Sequence, residues 1–135
     1  MPSLDAIKAD ILSLGPDIHV DTTTPDLFFF IGDERRMPFA TIVTHDTDFD
    51  GYAQLDRDGA FRLNISLDRH TFATLFPEHN SRAALEAANF DYATRDSILP
   101  HPVYGRMHWV CSINPDSSYP QCQTLLRTAY ELGRR

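Results

Sequence analysis

The chain has 135 residues, 42% of them hydrophobic and 23% charged, with nine phenylalanines, five tyrosines and a formal charge of −7. That length suits one domain with a real core, and the aromatic content excludes a disordered polymer. The negative balance opposes duplex binding, which depends on cations displacing condensed counterions from phosphate.

Ser3 can cap a first helix in which Leu4, Ile7, Ile11 and Leu14 recur at helical spacing, and Gly15-Pro16 ends it. Ile18 to Val20 reads as a short strand and Thr22 to Asp26 as a turn. Leu27 to Ile31 is an apolar, aromatic run too short for a helix, hence a strand. Gly32 to Arg36 reads as a polar hairpin connection leading into a strand at Pro38 to Thr44, and 45 to 59 is a long polar loop.

Phe61, Leu63 and Ile65 alternate with Arg62, Asn64 and Ser66, the pattern of a half-buried strand with its polar residues outward. Asp68 can cap a helix that turns Phe72, Leu75 and Phe76 inward and stops at Pro77. A short helix is expected at Arg82 to Ala88, and Asn89 to Ser97 is connection. Met107 to Ile113 reads as the last strand, with Trp109 and Cys111 toward the core. Ser117 or Ser118 then caps a final helix, with Pro120 in its first turn. The expectation is an α+β single domain, 1–135, with an antiparallel or mixed sheet of about five strands and helices packed on one face.

Cys111 and Cys122 are the only cysteines and form no CxxC pair, so a zinc ribbon is excluded. The N-terminus lacks the apolar core of a signal peptide, and no apolar run reaches membrane-spanning length. These features predict a cytoplasmic protein with reduced thiols and no membrane partner. No glycine-rich phosphate loop exists, so no cofactor is expected. A sheet edge or an exposed Phe28 to Phe30 run would allow a homodimer.

Two segments carry candidate chemistry. Asp46, Asp48 and Asp50 before Gly51 reproduce the opening of a calcium loop, with hard oxygens at alternate positions and a glycine turn. The twelfth position, where such a loop needs a bidentate glutamate, is Arg57. The second segment holds His101, Tyr104, Arg106 and His108. Imidazole titrates near neutrality and guanidinium grips carboxylate or phosphate, so these four residues are the candidate binding set.

Three functions compete for that set. A noncatalytic binding or adaptor module for a protein or small molecule, built on the loop and strand around 101–108, is favoured because no nucleophile elbow or other catalytic motif occurs. A nucleic-acid binder would need Arg35, Arg36, Arg62 and Arg106 to converge on one face. A small enzyme would use His101 or His108 as acid and base, with Arg106 holding an anion.

The segments Pro38 to Thr44, Phe61 to Ile65, the run H-P-V-Y-G-R-M-H-W-V from His101, and Ala129-Tyr130-Glu131-Leu132 together resemble an uncharacterised bacterial domain family. That family is similar to the MmcQ/YjbR-like proteins. The resemblance implies a compact YjbR-like α+β fold with an antiparallel sheet. It links the group to nucleic-acid binding through fold similarity only. Tyr104-Gly105-Arg106-Met107 stands where the relatives have a basic turn, and no catalytic residue carries over.

Overall fold

The structure is a computed structural model that describes residues 1–33 and 37–134. Four α-helices and six strands follow one another as α1 (Leu4–Leu12), β1 (Ile18–Asp21), β2 (Leu27–Ile31), β3 (Ala40–Val43), β4 (Arg62–Ser66), α2 (Arg69–Leu75), α3 (Arg82–Ala87), β5 (Leu99–Pro100), β6 (Trp109–Ile113) and α4 (Tyr119–Gly133). All strand pairs are antiparallel, in the order β1-β2-β3-β4-β6-β5. The expected architecture of one sheet with helices against it is present. The additional strand is the two-residue β5, too short to show a periodic pattern. Among the described residues no helix is long and apolar enough to cross a membrane. The hairpin residues 34–36 expected between β2 and β3 lie outside the described residues.

Strand register sorts the side chains into rows. Phe29, Ala40, Ile65 and Val110 stand opposite one another on one face, as do Leu27, Ile42 and Leu63. These residues join Ile7 and Ile11 of α1, Phe72 of α2, and Cys122, Leu125, Leu126 and Ala129 of α4 in the main core. Burying such apolar side chains supplies the main favourable term in folding.

Caps set where the helices begin. Ser3 Oγ accepts from Ala6 N–H, Asp68 Oδ1 from Thr71 N–H and Ser81 Oγ from Ala84 N–H, which satisfies amides that have no partner within the helix. Helix α4 departs from expectation. Ser118 occupies the cap position, but its hydroxyl and that of Ser117 both donate to Asp96. Asp96, at a φ of 56°, also accepts the N–H groups of Asp116, Ser117 and Ser118 and so caps the helix from a distant loop.

The opposite face of the sheet carries the row Phe28, Thr41, Asn64 and Cys111, with Val43, Arg62 and Ile113 beside it. Arg62 and Asn64 were expected to face water, yet they are 2% and 3% exposed. The reason is a second cover. The 45–60 loop folds over one end of this face, packing Ala53, Leu55 and Ala60 on Ile113 and Val43. Arg57 pins the loop by donating to the carbonyls of Gln54, Ala53 and Ala93.

Candidate functional site

Where the loop cover ends, a cleft of about 440 Å³ remains over the far face of the sheet. Phe28 and Phe30 of β2, Val43 of β3 and Trp109 of β6 form apolar walls, and Met37, Tyr104 and Met107 stand at the rim. The floor is polar: Thr41, Arg62, Asn64 and His101 are buried, and Asp50 beside them is half-buried. Strand pairing brings Thr41 and Asn64 opposite each other, whereas Asp50 and His101 arrive on separate loops.

Arg62 is the hub of this floor. Its guanidinium grips both oxygens of Asp50, at 3.2 Å from Nη1 and 2.5 Å from Nη2, while Nε donates to Asn64 Oδ1 at 2.8 Å. Asn64 Nδ2 in turn donates to Thr41 Oγ1 at 2.9 Å. Burial of the carboxyl acts to raise the pKa of Asp50, but the hydrogen bonds and charge of Arg62 outweigh it and hold the group below the ordinary value. The floor therefore holds a matched pair of opposite charges.

Pro100 and Pro102 bracket His101, whose N–H donates to the Trp109 carbonyl and whose carbonyl accepts from Gly105. Its Nδ1 accepts the backbone N–H groups of Val103 and Tyr104 at 3.1 and 3.0 Å. A nitrogen that accepts two such bonds carries no proton, so the neutral ring bears its proton on Nε2. Nε2 lies 3.2 Å from Arg62 Nη2 and 3.8 Å from Asp50 Oδ2. Burial first, and then the charge of Arg62, push the imidazole pKa down to about 3 against the pull of Asp50.

The four candidate residues from the 101–108 segment separate. His101 and Tyr104 meet at the cleft, with ring centroids 5.1 Å apart. Arg106 points away, into a hollow of about 170 Å³ that it shares with Arg82, Glu86 and Tyr92 on the other side of the His101 loop. His108 has a left-handed backbone at φ 72°, ends a 3₁₀ turn at Gly105–Met107 and packs on Phe72 of α2, 5.7 Å between centroids. The last strand therefore begins at Trp109, two residues later than expected. Its alternation holds, but the roles of the faces are reversed: Val110 enters the main core and Trp109 faces the cleft.

The aspartates of the 46–50 segment take separate tasks. Asp46 Oδ1 accepts from Leu55 N–H at 2.9 Å, Asp48 is exposed, and Asp50 is bonded to Arg62. Among the described residues no three His, Cys, Asp or Glu side chains form a metal-holding group. Phe28 to Phe30 does not form an exposed patch either: Phe29 is fully buried in the main core, and Phe30 is 7% exposed at the cleft.

The sequence alone did not mark Thr41, Asn64 and Trp109 as site residues, and it placed Arg62 only in a nucleic-acid patch and Phe28 and Phe30 only in a dimer surface. One signal was available. Phe28, Phe30, Val43 and Trp109 share a face with Arg62 and Asn64, and so many large apolar groups do not suit a face turned wholly to water. Another hollow, of about 350 Å³, lies between Phe39, Leu67 and Leu132, but among the described residues its one charged group, Asp68, is the cap of α2.

Fold and site together define a two-layer α+β domain with a polar-floored cleft on the sheet face away from its helices. The chain belongs to the family of unknown function DUF6194, whose profile covers residues 2–135. No curated protein and no solved structure matches it.

Proposed function

We propose that this protein is a noncatalytic binding module whose cleft takes a small, largely apolar organic molecule. The observation that carries the reading is the pairing of apolar walls with a buried, internally bonded polar floor in a cleft of about 440 Å³. Small-molecule sites span roughly 300–1,000 Å³ and combine apolar linings with a few placed polar groups. Exposed apolar side chains are concentrated at its mouth: Met37, Tyr104 and Met107 line it, and Phe49 stacks beside Tyr104 at 6.0 Å.

Binding is favoured over acid-base catalysis by the state of His101. A ring held neutral, with its unprotonated nitrogen already accepting two backbone bonds, is a poor proton acceptor near neutrality. Cys111 is also a poor nucleophile, since burial pushes its thiol up to about 12. A YjbR-like nucleic-acid role has less support: Arg62 is buried against Asp50, Arg106 faces a different hollow, and Arg35 and Arg36 lie outside the described residues.

Trp109 is the only tryptophan and lines the cleft, so its emission reports occupancy directly. Titration with a set of neutral aromatic fragments is expected to shift that emission saturably for several of them. If none does so, the binding role is wrong.

A further inference from the structure

We propose that the cleft selects ligands carrying an uncharged carbonyl oxygen, of the amide, ketone or ester class, which seats between His101 Nε2–H and Arg62 Nη2. This rests on the binding role argued above and adds the chemistry of the ligand.

Those two nitrogens lie 3.2 Å apart. Because His101 Nδ1 accepts from Val103 and Tyr104, Nε2 carries the proton, and Arg62 Nη2 is also a donor. The contact is therefore donor to donor and is no hydrogen bond. Asp50 Oδ2, at 3.8 Å, is too far from Nε2 to accept well, so among the described residues the imidazole N–H has no acceptor in hydrogen-bond range. His101 is a side chain 4% exposed that lines the cleft, and its Nε2 lies beside Arg62 and Asp50 of the cleft floor. An unmade bond at a buried donor is costly, and an oxygen with two lone pairs can satisfy both nitrogens at once.

Charge then narrows the oxygen. Arg62 is already matched by Asp50, and His101 is neutral, so the floor offers no excess positive charge to a carboxylate or phosphate. A ligand carboxylate would lose its hydration and meet Asp50 as a like charge. A ligand ammonium would face two donors. An uncharged carbonyl escapes both penalties, and Phe28, Phe30 and Trp109 accept the apolar body attached to it.

The test titrates ¹⁵N-labelled protein separately with benzamide, toluene and benzoate, following the Trp109 indole N–H and the His101 imidazole nitrogens by NMR. Benzamide is expected to bind about fivefold more tightly than toluene, the effect of one net hydrogen bond, and to move His101 Nε2. Benzoate is expected to bind no more tightly than toluene. Equal affinity for benzamide and toluene with His101 unmoved overturns the carbonyl proposal and leaves the binding cleft standing. Tighter binding of benzoate also overturns it. If no probe moves Trp109, the cleft itself is not a binding site and both readings fall. A His101→Phe variant is expected to bind benzamide and toluene alike. Should that variant fail to fold, the comparison of probes on the unaltered protein still decides.

Discussion

His101 Nε2 and Arg62 Nη2 approach to 3.2 Å although both nitrogens carry protons, an arrangement held by Val103 and Tyr104 N–H on one side of the imidazole and by Asp50 beyond the guanidinium. This relationship ties stability and binding to the same few atoms.

The first expectation concerns the buried ion pair. Replacing Arg62 with Ala leaves Asp50 in a half-enclosed site without its partner and should cost about 3 kcal/mol, measured by urea denaturation. The double variant Arg62→Met/Asp50→Leu removes both charges and should recover most of that loss. Equal destabilisation of the single and double variants would show that packing, and not the unpaired carboxylate, governs the site.

A second expectation follows from His101. Its folded pKa of about 3 lies below its ordinary 6.5, so the unfolded chain binds the extra proton between those values. Stability should be fully present above pH 6.5 and fall as pH drops toward 3, at no more than about 1.4 kcal/mol per pH unit from this one group. Denaturation at several pH values should show a shallower dependence in His101→Phe than in the unaltered protein. Identical slopes would mean that His101 is not held neutral.

Much of the fold was legible because local rules and tertiary structure agree. Ser3 and Asp68 cap the helices they precede, and the apolar run Leu27 to Ile31 forms the strand it suggested. The site was less legible for a geometric reason. Alternation assigns residues to two faces but does not say what covers each face, so Arg62 and Asn64 looked like solvent residues and Trp109 like core. Arg62 meets the loop that closes over it by donating two bonds to Asp50, twelve positions earlier, and His101 arrives thirty-nine positions later. Spacing alone contains no sign of that convergence. It likewise grouped Arg106 and His108 with His101, which a 3₁₀ turn and a left-handed residue then sent to different surfaces.

Asp96 supplies a third expectation. Its carboxylate is held well below the usual range, chiefly by the hydroxyls of Ser117 and Ser118 and then by the amides of Asp116 and Ser118. Asp96→Ala should lower the melting temperature by freeing the start of α4, and Asp96→Asn should fall between the two. Because the folded pKa is depressed, this contribution is present above about pH 4 and is lost as pH falls further. An Asp96→Ala protein with unchanged melting temperature would remove it as the cap.

The helix-side seam gives a fourth. Tyr130 of α4 donates its hydroxyl to Asp17, and a Cβ at Gly15 would overlap that hydroxyl. Gly15→Ala should therefore destabilise more than Tyr130→Phe in thermal melts. Adding Tyr130→Phe to Gly15→Ala should relieve part of the damage, since the overlap is with the hydroxyl and ring carbon that bears it. No relief would place the cost of Gly15→Ala in the contacts that remain, with the Tyr130 ring carbon and with Asp17 Oδ1, 2.8 Å from the added Cβ.

A crystal structure of the protein soaked with benzamide tests most directly whether a ligand occupies the Trp109 side of the sheet with its oxygen against His101. The expected result is the ring between Trp109 and Phe30 with its carbonyl oxygen within hydrogen-bond distance of both His101 Nε2 and Arg62 Nη2. Benzamide bound instead in the Arg82–Arg106 hollow, or turned with its oxygen away from His101, would contradict it.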